Sequence, residues 1–133
     1  MKIQLYIDIR QPDELDLRLT FNNTLIDSLI SLERNNNDHY CWEFNATAKE
    51  NNLIKLSVTG LKESNYVDIV NCIIDGINYD IVHIMNCRTN TTHGSTRIKA
   101  DGFIEIPFTT PVCLHWAKVF NDFDYKDYPH WTS

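Results

Sequence analysis

The stretch that most constrains this chain runs from Tyr66 to Tyr79, YVDIVNCIIDGINY. It is rich in β-branched residues, breaks at Asp75-Gly76 and restarts at once. Asp-Gly between two apolar runs is the strongest short-range hairpin signal, because both residues tolerate the positive φ of a tight turn. At period two, Val67, Ile69 and Ile73 fall on one face and Val70, Cys72 and Ile74 on the other. A strand apolar on both faces belongs in the middle of a covered sheet, so the segment predicts a β domain built around it.

The rest of the chain supplies partners. Ile3, Leu5, Ile7 and Ile9 alternate with polar residues, and so do Leu15, Leu17, Leu19 and Phe21; each set reads as a strand with one wet face. Asn22-Asn23 reads as a turn into a third strand, Thr24 to Leu32. Tyr40, Trp42, Phe44 and Ala46 put three aromatics on one sheet face, each able to bury ~150–250 Å². Trp42 and Trp116 are expected in the core. A turn over Lys49 to Asn52 leads into a strand from Leu53 to Thr59, with Ile54, Leu56 and Val58 inward. Beyond Gly76, Ile77 to Met85 is expected to continue as a strand, and the polar run from Asn86 to Ala100 as a long loop. Phe103 to Phe108 reads as a last strand, whose Pro107 end is expected at an edge. Thr109-Thr110-Pro111 is a helix-start signature, with Val112, Trp116 and Phe123 on one stripe of the helix it opens. The sum is a mainly β chain: a two-sheet antiparallel β-sandwich of jelly-roll type with a short C-terminal helix. Residues 1–121 would form that domain, and 122–133 an aromatic and acidic tail belonging to it or docking on a partner.

Composition narrows function more than it names it. At 133 residues with a formal charge of −6 and no basic run, the chain lacks the clustered Lys and Arg that nucleic-acid binding needs. No segment approaches the ~20 apolar residues of a membrane helix, and the alternating start MKIQLYIDIR is not a signal peptide. Nucleic acid and membrane are therefore not expected partners, and the N-x-T triplets at Asn22, Asn45 and Asn90 are read as products of a composition with fourteen Asn. Cys41, Cys72, Cys87 and Cys113 form no C-x-x-C pair and read as core thiols, not as a metal or redox site.

Chemistry-bearing motifs are sparse. Neither H-E-x-x-H nor G-x-S-x-G occurs, and no glycine-rich phosphate loop is present. His83 near Asp80 and His93-Gly94-Ser95 are the nearest approach to a catalytic constellation, and both read as structural or chance groupings. Asp122-x-Asp124-x-x-Asp127 lacks the glycine and distal glutamate of an EF-hand. No catalytic or metal residue is assigned. The aromatics are the better lead, because a flat ring can stack on a pyranose while amides and carboxylates bond its hydroxyls. Candidate rings are Tyr6, Tyr66, Tyr79, Tyr125, Tyr128 and Trp131. The tail DYKDYPHWTS would expose an apolar patch if left free, so Phe123, Tyr125, Tyr128 and Trp131 are also expected to pack on a partner.

Three stretches together carry a resemblance. YCWEFNATAKENNLIKLSVTGL and YVDIVNCIIDGINY are similar to consecutive strands of small carbohydrate-binding β-sandwiches. GFIEIPFTTPVCLHWAKVF resembles the closing strand and helix of small proteins encoded by tailed phages of the marine myovirus type. The resemblance covers most of residues 38–120 and implies a jelly-roll module akin to calcium-dependent, xylan-binding sugar modules. Those modules carry clustered aspartates just before the central strand; here that place reads LKESNYVD, in which Asp68 matches. Calcium is the one cofactor the resemblance would bring, and with Asp68 alone matching none is called for.

Three functions follow as expectations. The first is a non-enzymatic phage protein, a virion structural or assembly component whose partners are its own copies or other virion proteins, located in the virion or host cytoplasm. The second is a carbohydrate-binding module for a host or virion glycan. The third and weakest is a small jelly-roll enzyme.

Overall fold

A computed structural model describes residues 1–10, 15–26, 39–79, 81, 85, 87–90, 96–112 and 114–115. Among them, alternation does most of the folding. In β1 (Lys2–Ile9) the apolar set Ile3, Leu5, Ile7 and Ile9 is buried while the polar set stays at the surface. The same period-two burial runs through β2 (Asp16–Phe21), β5 (Asn51–Thr59) and β10 (Gly102–Thr109). Successive side chains of a strand point to opposite faces, so a one-in-two apolar pattern leaves only one way to sit on a core.

Two antiparallel sheets result. One has the order β4 (His39–Asn45), β1, β6 (Val67–Ile74), β7 (Ile77–Tyr79), with β9 (Arg97–Ile98) also on β6. The other runs β3 (Thr24–Leu25), β2, β5, β10, β8 (Arg88–Thr89). Among the described strands, the β2–β3 and β6–β7 hairpins stay within one sheet and the other consecutive strands alternate between sheets. The inner faces share one core, in which Phe21 of one sheet meets Phe44 of the other at 5.9 Å between ring centroids. Tyr40, Trp42 and Phe44 are all buried, as their spacing predicts, and Trp42 is 2% exposed.

Both hairpin turns have the chemistry their sequences promise. Asn22 and Asn23 have φ of 50° and 68°, and Asp75 and Gly76 of 51° and 82°; positive φ at both central residues is the type I′ requirement. Each tip is tied down. The Asp75 carboxylate accepts the Lys2 N–H at 2.8 Å, and the Asp75 N–H donates to the Lys2 carbonyl. The Asn22 side chain accepts the Leu53 N–H and donates to the amide oxygen of buried Asn52.

The structure departs from the sequence reading in instructive places. β6 is not apolar on two faces. Its pairing with β1 shifts register between Tyr6, opposite Asn71, and Ile7, opposite Ile69, leaving Val70 as an extra residue. That β-bulge inverts the phase of the strand, so Val67, Ile69, Cys72 and Ile74 are all buried on the core side while Val70 is exposed. β10 pairs with β5 along its length but with β8 only at Ile104 and Glu105, so among the described residues its Pro107 end is at an edge, as expected. Pro107 is tolerated because Leu53, opposite it, turns both its N–H and its carbonyl toward Asn22 on the far side. Pro107 therefore owes β5 no hydrogen bond, and it lies beyond the short β8 ladder.

β5 begins at Asn51, inside the expected turn. The strand expected from Thr24 ends at Leu25, with 27–38 outside the described residues. The strand expected from Ile77 ends at Tyr79; Ile81 and Met85 beyond it are buried without strand pairing. The expected 86–100 loop contains β8 and β9. Val112, Leu114 and His115 are helical, and His115 N–H donates to the Pro111 carbonyl at 3.1 Å. The rest of the expected C-terminal helix lies outside the described residues, as do Cys113 and Trp116.

Candidate functional site

The site grows out of β6. One edge of this strand is covered by β1. The other edge changes partner partway: β9 pairs at Val67 and Asp68, and β7 pairs at Cys72, Ile73 and Ile74. β7 leaves after Tyr79, and the chain returns from the other sheet to enter β9. Ile69 N–H reaches the Thr96 carbonyl at 2.9 Å, the last bond of the β9 side. Between the two ladders, among the described residues, the edge of β6 forks open at the bulge. The fork is a cleft of about 600 Å³ lined by Asp68, Ile69, Val70, Asn71, Asn78, Tyr79, Ile81 and Thr96.

The lining is mixed in a useful way. Asp68 accepts the Thr96 hydroxyl at 2.6 Å on one carboxylate oxygen and the Arg97 guanidinium at 3.2 Å on the other. A carboxylate has about four lone-pair sites, so its orientation is fixed while acceptor capacity remains. Arg97 also lies over the Tyr66 ring, 4.1 Å from its centroid. The side-chain amides of Asn71 and Asn78 have no partner among the described residues, which leaves a donor and an acceptor on each. Val70 and Tyr79 complete the lining of the cleft.

Burial governs the thiols behind the fork. Burial, and then the neighbouring Cys87, push the Cys72 thiol up to about 12; burial, and then the Asp68 charge, do the same to Cys87. Both are 0% exposed, as expected of core thiols, whereas Cys41 is half-buried on the outer face. Among the described residues no three His, Cys, Asp or Glu side chains converge on one point. Asp68 stands as the cleft's carboxylate, already held by Thr96 and Arg97.

The rings proposed from sequence part company. Tyr79 lines the fork, though it stands opposite buried Cys72 and packs partly on the core. Tyr66 flanks the fork, with one face taken by Arg97. Tyr6 lies half-buried on the outer face of β1. Phe123, Tyr125, Tyr128 and Trp131 lie outside the described residues, as do Asp80, His83 and the 122–127 carboxylates. His115 Nδ1 bonds the Thr109 hydroxyl at 2.9 Å, a local tie. Val70, Asn71, Asn78 and Thr96 were missed. The one available signal was the phase break between Val67/Ile69 and Cys72/Ile74, which marks a bulge.

No protein-family model matches the chain, and no curated protein does. Solved structures do. The chain is similar to vCBM60 in complex with galactobiose, with a TM-score of 0.50 at 12% identity over 80% of this chain and 97% of that one. It is also similar to a selenomethionine form of vCBM60, described in connection with a circular permutation linking two families of calcium-dependent carbohydrate-binding modules. There the TM-score is 0.49 at 13% identity, over 79% of this chain and 88% of that one. At such identities the likeness is one of fold alone, that of a two-sheet antiparallel β-sandwich.

Proposed function

We propose that the chain is a non-catalytic carbohydrate-binding module that holds a neutral glycan in the fork between β7 and β9. One observation carries the reading: a preoriented carboxylate, two unengaged amides and an aromatic ring meet in one open cleft. Vicinal sugar hydroxyls need paired acceptors and donors at fixed positions, and Asp68, Asn71 and Asn78 supply them. Val70 and Tyr79 meet the apolar C–H faces. The carboxylate and the overall charge of −6 disfavour an anionic ligand, while Arg97 is held by Asp68. A fold shared with a module bound to galactobiose supports the same reading.

Glycan recognition takes precedence over the assembly role expected from the tail, whose interface residues Phe123, Tyr125, Tyr128 and Trp131 are not among those described. We further read the glycan as one on a host surface or a virion, a reading that rests on the resemblance to tailed-phage proteins alone. No calcium is part of the proposal.

Titration calorimetry with neutral oligosaccharides chosen from a glycan array tests it. Asp68→Asn keeps the shape and removes the charge; it is expected to weaken binding about tenfold or more, the ~1.5–3 kcal/mol of a charge-assisted hydrogen bond. Undiminished affinity in a folded Asp68→Asn variant would sink the assignment of the site.

A further inference from the structure

The outer face of the β4–β1–β6 sheet carries a row of side chains that starts inside the fork. β1 alternates so that Gln4, Tyr6 and Asp8 face away from the core. Tyr6 stands directly opposite Asn71 on β6 and Cys41 on β4. Directly opposed residues of an antiparallel pair share a face, so Cys41, Tyr6 and Asn71 form one line across three strands. Asn71 is also a wall of the fork, and the bulge that opens the fork lies beside this line. All three side chains are half-buried, which makes the line a shallow, reachable strip. The Cys41 thiol beside it, and then partial burial, raise the Tyr6 phenol above its ordinary range.

Spacing gives the strip a meaning. Neighbouring strands lie about 4.7–4.9 Å apart, comparable to the advance of one pyranose ring. A chain anchored by its first sugar in the fork thus meets, one strand further, a ring with an apolar face and a polar tip. Resting on the glycan reading of the fork, we propose that Tyr6 and Asn71 form a second subsite, and that the ligand is an oligosaccharide of two or more pyranose units lying across the strands of this face. Continuity decides the occupant. A strip that opens into a cleft of amides and a carboxylate continues the same hydroxyl-rich ligand.

The experiment is a chain-length series on the full chain: galactose, galactobiose and galactotriose, with the corresponding glucose and xylose series, followed by calorimetry. Wild type is expected to gain at least tenfold in affinity from monosaccharide to disaccharide. Tyr6→Ala is expected to collapse that disaccharide-over-monosaccharide ratio toward one, and Tyr6→Phe, which keeps the ring, to retain most of it. Backbone amide shifts give a readout needing no variant: the disaccharide should move Tyr6 and Cys41 resonances that the monosaccharide leaves in place. A full length gain in folded Tyr6→Ala, a wild type with no length gain, or disaccharide shifts that spare Tyr6 and Cys41 would each overturn the second subsite and leave the fork standing. Absence of binding across all three series would overturn the fork reading and the subsite with it.

Discussion

Single residues decide both the strength of the body and the character of the cleft. Trp42, 2% exposed among buried Tyr40 and Phe44, fills core volume that no neighbour can reach. Trp42→Ala is expected to destabilise the domain by ~3–5 kcal/mol in denaturant unfolding, and a smaller loss would place the ring at the surface. Cys72 and Cys87 make a prediction about pH. Both thiols are raised from 9.0 to about 12 when folded. The folded state therefore keeps protons that the unfolded chain releases. The stability this contributes is complete below pH 9.0 and is lost as pH climbs toward about 12. Cys72→Ala should lose less stability than wild type between neutral pH and the middle of that window. Equal losses would mean that the thiols do not govern alkaline unfolding.

At the scale of elements, the bulge in β6 links fold to site. Val70 is the extra residue that shifts the register against β1, and it sits where the strand's other edge is left open between β7 and β9. Removing it should simplify the strand. With Val70 deleted, Val67, Ile69, Cys72 and Ile74 fall on one face at strict period two. The deletion variant is expected to melt at or above the wild-type temperature and to lose glycan binding, because the fork closes. A variant that binds as before would separate the bulge from the cleft. This element also shows where sequence reading stops. β1, β2, β5 and β10 were legible because their alternation is unbroken, and the Asp75-Gly76 hairpin because its turn chemistry is local. β8 and β9 are two residues each, too short to carry a period, and exist only because β10 and β6 offer edges to them. Pro107 marked its end of β10 as an edge, because proline has no N–H to give a ladder, and the β8 ladder stops at Glu105.

At the scale of the molecule, two sheets share one core, and nearly every connection crosses between them. That architecture returns the chain repeatedly to the same edge and lets β7 and β9, separated by a visit to the other sheet, flank one strand. The candidate site was legible only in part: Tyr66, Tyr79 and Asp68 stood out as residue types, but their meeting with Asn78 and Thr96 depends on long-range pairing that no local pattern encodes. The central claim is that this fork is where a neutral glycan sits. The most direct measurement is an amide chemical-shift titration of the whole chain with galactobiose, and with xylobiose and cellobiose alongside. Saturable shifts are expected, centred on Asp68 to Asn71, Asn78, Tyr79 and Thr96. Shifts centred on the outer face of the β2–β5–β10 sheet, or none with any of the three sugars, would contradict it.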